Sequence, residues 1–195
     1  MGFDPHPVTL EGQTVRLEPL DAHHAGGLLE IGSVDEDWAY MPRGCFGHLG
    51  DCRTWIDEAK AAADQVPFAI IDKASGLPAG STRYLTIRRE HRSLEIGWTW
   101  LGRNFQRSAV NTETKLLLLT HAFDDLGAIR VEVKTDQRNT RSQAALERIG
   151  AVREGVLRQH MVVQEGFLRN SVYFSILDEE WPAVKAHLEA KLGRG

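Results

Sequence analysis

Apolar and polar residues alternate along three stretches of the chain, at residues 15–20, 91–101 and 129–135. A period of two is the pattern of a half-buried β-strand, because successive side chains in a strand point to opposite faces. The short apolar run 68–71 also predicts a strand, and its neighbour 72–76 has the composition of a hairpin turn. Further strands are expected at residues 79–87, 151–158 and 171–176.

Helical spacing of apolar residues separates these strands, at residues 22–32, 51–64, 111–126, 139–149 and 179–192. Gly127 and Gly150 follow two of these segments, where glycine commonly ends a helix. Residues 35–50 hold several glycines and a proline and are expected to form an irregular loop. The order β-α-α-β-β-β-α-β-α-β-β-α predicts an α/β (α+β) protein, with a mixed sheet covered by helices on both faces.

Composition narrows the class of protein. The 195 residues are 42% hydrophobic and 26% charged, which suits a single domain spanning 1–195, with residues 1–8 as a loose N-terminal tail. A net charge of −4 argues against nucleic acid as a partner, and no apolar run is long enough to cross a bilayer. Two cysteines and the absence of a leader pattern predict a reduced, cytoplasmic protein. The sequence leaves a homodimer open.

The segment from Arg103 to Thr112 joins a polar, basic loop to a strongly apolar helix. If the helix begins near Asn111, the amides before and inside its first turn lack helical acceptors and can hold an anion. Arg103 and Arg107 add guanidinium groups suited to phosphate. The alternative is a solvated loop in which Asn111 only caps the helix.

A second group of motifs follows in the order Asn139-x-x-Ser142, residues 145–151 (Ala-Leu-Glu-Arg-Ile-Gly-Ala) and Glu154-Gly155-x-x-Arg158. Upstream stand residues 94–98 (Leu-Glu-Ile-Gly-Trp), 121–123 (His-Ala-Phe) and 130–132 (Arg-Val-Glu). In this order, from about residue 8 to 192, the chain resembles the GNAT superfamily of acetyl-CoA-dependent N-acetyltransferases. In particular it resembles the Rim-type branch of ribosomal-protein N-terminal acetyltransferases. The resemblance implies the GNAT fold, with a central, mostly antiparallel mixed sheet.

The resemblance also implies a loop of the type Gln/Arg-x-x-Gly-x-Gly/Ala that grips the pyrophosphate of coenzyme A. Gln106 fits its first position, while Ala109 and Asn111 stand where small residues or glycines are expected. The backbone of Trp100 or Leu101 is expected to donate to the oxyanion and to pair with pantetheine. The remaining residues expected to contact acetyl-CoA are Arg103, Gln106, Arg107, Ser108, Ala109, Val110, Asn111, Thr112 and Asn139.

Amine attack on a thioester needs a base for the amine and an acid for the departing thiolate. The resemblance assigns the acid to Ser142. The alternative is that Asn139 caps the helix and Ser142 is an ordinary residue of its first turn; Asn139 could both cap the helix and contact the cofactor. Glu95 is the first candidate base, and the alternative is a strand glutamate that faces solvent or pairs with an arginine. His160, expected in a loop, is the second candidate, and Asp136 is the third.

The expected function is therefore transfer of an acetyl group from acetyl-CoA to a primary amine in a ternary complex. The amine could belong to a protein N-terminus or to a small molecule such as an antibiotic, polyamine or amino acid, and a non-catalytic acyl-CoA sensor is a further alternative. Acidic residues 35–37 could attract a cationic acceptor, and Arg141 and Arg148 could reach the adenosine 3′-phosphate. Four aromatics could line the acceptor pocket or belong to the core: Trp38, Tyr40, Phe46 and Trp55. No metal is expected, because the pair His23-His24 has no further ligand nearby in the sequence.

Overall fold

A computed structural model describes residues 2–193 and shows one eight-stranded sheet. The strands are β1 (Leu10–Glu11), β2 (Val15–Pro19), β3 (Val66–Asp72), β4 (Pro78–Arg88), β5 (Ser93–Leu101), β6 (Arg130–Asp136), β7 (Val152–Val162) and β8 (Leu168–Leu177). Their order is β1-β2-β3-β4-β5-β6-β8-β7. Only β5 and β6 run parallel, and every other neighbouring pair is antiparallel. The predicted mixed, mostly antiparallel sheet is confirmed.

Five α-helices cover the sheet on both faces, as the sequence predicts: α1 (Ala25–Ile31), α2 (Leu49–Ala61), α3 (Ala109–Thr120), α4 (Thr140–Arg148) and α5 (Trp181–Lys191). The larger apolar core joins α3, α4 and α5 to β2–β6 and β8. The smaller core lies under α1 and α2 and includes Trp100 of β5. No helix within residues 2–193 combines the length and the apolar character needed to span a membrane.

Two element boundaries differ from the sequence prediction at places that matter for the site. Helix α3 begins at Ala109 rather than Asn111, because the side chain of Ser108 accepts the N–H of Val110 and caps the helix. Strand β7 continues to Val162 instead of ending at residue 158. His160 therefore lies on a strand and not in a loop. The residues next to His160 are mostly exposed and polar. They show no alternation of apolar and polar residues, so the sequence did not indicate a strand there.

The N-terminal segment packs against the sheet, contrary to the prediction of a loose tail. Phe3 is only 7% exposed and belongs to the larger core. The buried carboxylate of Glu113 accepts the backbone N–H groups of Gln13, Thr14 and Val15, so α3 holds the turn between β1 and β2. Met1 and residues 194–195, which fall within the predicted tail and domain, lie outside the described residues.

Strand β4 approaches β5 so closely at Gly80 that no side chain fits there. A Cβ at Gly80 would clash with the carbonyl oxygen of Trp100 and lie 3.0 Å from the Cα of Leu101. We expect Gly80→Ala to lower the free energy of unfolding by about 1–3 kcal/mol, since backbone atoms cannot turn aside as a side chain does. Urea denaturation would measure the change. Gly155→Ala on β7 is the control, because a Cβ there meets nothing within 4 Å, and an equal loss in both variants would contradict the prediction.

Candidate active site

The two parallel strands separate shortly after they pair. Strand β5 meets β6 only at three positions, Ser93 with Arg130, Leu94 with Val131 and Glu95 with Glu132. Residues 96–101 of β5 and 133–136 of β6 have no pairing with each other. We call the opening between these two segments the cleft. One edge of each strand is thus left with backbone groups that an extended ligand can pair with.

A β-bulge lies on β5 beside the cleft. The register moves from Arg83 opposite Gly97 to Ser81 opposite Trp100, so β5 contains one residue more than β4. Trp98 takes up the extra residue with a left-handed φ of 51°, a strained conformation for a bulky side chain. Nothing in the alternating sequence of residues 91–101 indicated this bulge. It interrupts the ladder next to Trp100 and Leu101, whose amides are the predicted oxyanion donors.

The loop before α3 forms a concave backbone without glycine. The left-handed residue of the loop is Arg107, with φ 59°, while Ala109 and Asn111 are helical. The side chains at the start of α3 are exposed, at Arg107, Ser108 and Ala109, whereas most of the helix that follows is buried. A left-handed residue next to a helix start turns successive N–H groups toward a common point, which suits an anion. The missing glycines are therefore compatible with a phosphate site, because the positions expected to carry them do not need positive φ.

Two predicted contacts of this loop have protein partners. Arg103 Nη2 lies 3.0 Å from Glu36 and its Nε 3.1 Å from Asp37, so its guanidinium turns toward the loop between α1 and α2. These pairs also neutralise two of the three acidic residues that could have attracted a cationic acceptor. Gln106 donates to the carbonyl oxygen of Leu101 (3.1 Å) and accepts from Arg141 (3.2 Å). It thereby joins the end of β5 to the first turn of α4.

Helix α4 begins on the far side of the cleft with a capped N-terminus. The side chain of Asn139 accepts the N–H of Ser142 at 3.0 Å, as the capping interpretation predicts. Ser142 is half-buried in the first turn. This hydrogen bond uses the backbone N–H of Ser142 and not its hydroxyl group. The role of that hydroxyl toward a thiolate remains a prediction.

The first candidate base, Glu95, is 2% exposed and receives a hydrogen bond from Lys134 Nζ at 2.7 Å. Burial raises the pKa of Glu95, because the charged form loses hydration, and the charge of Lys134 partly offsets that rise. The prediction of a partly buried carboxylate with a raised pKa agrees with this geometry. The pairing partner is a lysine of β6, beside the point where the strands separate.

The other two candidate bases differ from Glu95. His160 Nδ1 lies 3.0 Å from Ser171 Oγ, and its Nε2 lies 3.4 Å from the hydroxyl of Tyr173. Burial and the charges of Lys134 and Arg169 lower the pKa of His160, so the neutral ring predominates near neutral pH. Burial acts to raise the pKa of Asp136, but the hydrogen bonds from Arg138 outweigh it and hold that pKa below its ordinary range. Asp136 is therefore committed to Arg138 and is a poor base.

Lys115 of α3 is a site residue that the sequence prediction missed. Its side chain is buried and donates to Thr99 Oγ1 at 3.1 Å, on the unpaired part of β5. Burial lowers the pKa of Lys115 to about 8, with the charge of Glu95 acting in the opposite direction. The sequence signal that could have found it is the run of four leucines that follows Lys115. A lysine next to such a run is either buried with the leucines or lies at the polar edge of the helix.

The structure shows which of the four aromatics belong to the core and which is exposed. Three of them, Trp38, Phe46 and Trp55, lie buried in the smaller core. Tyr40 is 40% exposed, and the guanidinium of Arg138 lies 5.7 Å from the centre of its ring. Of this set, only Tyr40 is available to an acceptor.

The expectation that the pair His23-His24 has no third ligand is wrong. Nitrogen and oxygen atoms of His23, His24 and Glu18 lie within 4.8 Å of one another. His24 Nε2, however, lies 3.0 Å from Glu18, and its Nδ1 accepts the N–H of Asp21 at 3.0 Å. A ring whose Nδ1 accepts must carry its proton on Nε2, so binding a cation there would require loss of that proton. This chemistry disfavours a metal at the cluster.

A parallel strand pair therefore splits near the N-termini of α3 and α4, and the buried carboxylate of Glu95 and its partner Lys134 lie at the split. Residues 14–152 match the family described as Acetyltransferase (GNAT) domain. The chain therefore belongs to the GNAT acetyltransferase family, and the predicted family and fold are confirmed.

Individual relatives agree with this membership. A crystal structure of a GCN5-related N-acetyltransferase from Brucella melitensis is 36% identical, with a TM-score of 0.91 over 95% of this chain and 86% of that one. YdaF of Bacillus subtilis strain 168, which carries the name of a ribosomal N-acetyltransferase, is 35% identical over 95 residues, 49% of this chain and about half (51%) of that relative. Mycobacterium smegmatis RimJ in complex with CoA-disulfide shares the fold at 23% identity, with a TM-score of 0.81 over 96% of each chain. The name of YdaF agrees with the resemblance to the Rim-type branch.

Proposed function

We propose that the protein transfers an acetyl group from acetyl-CoA to a primary amine, and that the amine is a protein N-terminus. The observation that carries the proposal is the cleft, where β5 and β6 part immediately after Glu95 and Glu132. In this proposal an extended pantetheine adds there as a strand, and its pyrophosphate binds at the exposed residues Arg107–Ala109, where α3 begins.

Each residue then has a defined task in a direct transfer. Glu95 accepts a proton from the amine, directly or through water, so that the nitrogen lone pair can form the new C–N bond. A backbone N–H of Trp100 or Leu101 donates to the carbonyl oxygen while it carries negative charge. Ser142 donates its proton to the sulfur as the C–S bond breaks and regains a proton that solvent carries from the acetylated nitrogen, while Glu95 releases its own proton to solvent. The products are an N-acetylated amine and the free thiol of coenzyme A.

The protein N-terminus is favoured because the name of YdaF refers to ribosomal N-acetylation. A small amine is the second candidate, and a specific contact favours it. Gln164, in the turn between β7 and β8, places Nε2 within 2.7–2.9 Å of the carbonyl oxygens of Trp38, Met41 and Arg43. This contact fastens the loop between α1 and α2 over the hairpin, which closes one end of the acceptor side. A peptide would have to enter end-on.

Release of coenzyme A thiol, measured against peptides and small amines, tests the proposal. We expect thiol release to require an acceptor with a free primary amine, and acetylated product to appear in equal amount by mass spectrometry. Turnover with peptides and not with small amines supports the N-terminal assignment, and the reverse supports the second candidate. Tight binding of coenzyme A without turnover on any acceptor would replace the proposal by a sensor function.

Replacing Ser142 by alanine tests its assigned role as the acid. We expect kcat to fall by about 10- to 100-fold, because the thiolate loses its proton donor, while the helix cap stays intact through the backbone N–H of residue 142. Thr140→Ala, in the same exposed turn of α4, is the matched control and should leave kcat unchanged. An unaltered kcat in Ser142→Ala would remove this residue from the mechanism.

A further inference from the structure

Strand β8 carries a buried arginine that has no carboxylate partner among the described residues and that contacts the loop between α1 and α2. Arg169 of β8 is 5% exposed, yet within residues 2–193 no carboxylate oxygen lies within 4.0 Å of its guanidinium. Its Nε has no hydrogen-bond partner among those residues. Its one side-chain hydrogen bond is from Nη1 to the carbonyl oxygen of Tyr40, at 3.5 Å. A buried guanidinium keeps its charge, so this geometry is costly without an anion.

The carboxylates nearest to Arg169 are already engaged. Asp136 receives two hydrogen bonds from the guanidinium of Arg138, at 3.0 and 2.7 Å, and Glu95 receives the ammonium of Lys134. Arg138 in turn stacks on Phe167, with 3.7 Å from its guanidinium carbon to the ring centre. Within residues 2–193 each carboxylate is thus held by a cation other than Arg169.

Arg169 contacts a loop that borders a surface cavity. It touches Tyr40, whose neighbours Ala39 and Met41 line a surface cavity together with Arg138, Val163 and Phe167. Because alternate residues of a strand share a face, Arg169, Ser171 and Tyr173 form one row on β8. Tyr173 pairs with Lys134 of β6, the lysine that holds Glu95. A row therefore leads from the unpaired guanidinium to the candidate base.

We propose that the acceptor amine also carries a carboxylate, which Arg169 binds while the amine lies beside Glu95. This inference rests on the proposed acetyl transfer and specifies its substrate class. The four steps along the strand from Arg169 to Tyr173 span about 14 Å, and an arginine side chain covers only part of that distance. An α-carboxylate lies two bonds from its own amine, so the acidic side chain of a second residue in a peptide fits this separation better than a free amino acid does.

Matched acceptors test the inference on the unmodified protein. Alanyl-aspartyl-alanine amide and alanyl-asparaginyl-alanine amide differ only in the charge of one group. We expect kcat/KM to be about 10- to 100-fold higher for the aspartyl peptide, because the asparaginyl peptide lacks the charge-assisted hydrogen bonds to Arg169 and such bonds contribute about this factor. L-glutamate and its diamide form a second pair, and selectivity there instead would assign the carboxylate to a free amino acid. Equal kcat/KM within both pairs would overturn the inference and leave the proposed transfer intact, whereas no acetylation of any amine would overturn the transfer itself.

Arg169→Met then assigns the selectivity to this residue. The variant should lose the preference for the aspartyl peptide mainly through KM and should bind coenzyme A with unchanged Kd in isothermal titration. Arg153→Met, an exposed arginine of β7, should keep the preference. Weaker binding of coenzyme A in Arg169→Met would show that the guanidinium serves a cofactor phosphate and would contradict the proposal. The wild-type comparison decides the question even if the variant does not fold.

Discussion

Glu95→Gln should lower kcat by about 10²- to 10⁴-fold, the usual contribution of a positioned general base. Glutamine has the shape of glutamate and can still accept the hydrogen bond from Lys134, so the variant removes basicity and little else. The pH profile gives the sharper measurement. Because burial raises the pKa of Glu95, the wild-type rate should fall as the pH drops through a value above that of an exposed glutamate. This acidic limb should disappear in Glu95→Gln.

The same profile separates Glu95 from His160. Burial and neighbouring cations lower the pKa of His160, while burial raises that of Glu95. The acidic limbs expected for the two groups therefore lie close together on the pH axis, and the pH of the limb does not by itself identify the base. If Glu95 is the base, His160→Gln keeps the limb. Glu132→Gln is the matched control, since Glu132 pairs with Glu95 across the strands but forms ion pairs with Arg88 and Arg130. Loss of the limb in His160→Gln alone would transfer the assignment to His160.

Lys115→Met should raise the free energy of unfolding at pH 7 by about 3 kcal/mol. The pKa of Lys115 falls from 10.5 to about 8 on folding, and a depression of this size measures the cost of burying its charge. At pH 7 the lysine is protonated in both the folded and the unfolded chain, so the full cost is present. Methionine has a similar shape and no charge. Urea denaturation of the two proteins at pH 7 measures the difference.

The pH dependence provides an independent check on Lys115. Between pH 8 and 10.5 the unfolded chain binds more protons than the folded one, so the stability of the wild type should rise with pH through this window. Lys115→Met should lack that rise. Lys60→Met, which breaks an exposed pair with Asp21, is the control and should change stability by less than about 1 kcal/mol. A destabilised Lys115→Met would show that the ammonium makes favourable contacts that outweigh its burial.

Local sequence signals were sufficient for most of the fold. The alternation at 91–101 and 129–135 predicted β5 and β6 to within two residues, and Asn139 caps α4, which is one of the two roles that the sequence offered for it. These features depend on side-chain periodicity and on contacts a few residues apart, which the sequence displays directly. The start of α3 was misplaced because Ser108 and Asn111 are both good caps, and only the path of the loop decides between them.

Other features depend on residues far apart in the chain. The three amides held by Glu113 lie about a hundred positions before it. The burial of Lys115 and the unpaired guanidinium of Arg169 follow from how helices and loops close over the sheet. No spacing rule relates such groups, because their distance is set by strand order and packing.

The sequence by itself determined the mixed sheet, its helices and the segments that belong to the site, since hydrophobic periodicity and helix caps act within single elements. It also indicated Glu95 as a strand carboxylate near the loop 103–112. The tertiary structure decided that β5 and β6 part directly after Glu95, that Trp98 bulges beside the opening, and that Arg107 rather than a glycine takes the left-handed turn. Those features arise where strands with different partners must bend apart, and their energies depend on contacts that exist only in the folded chain.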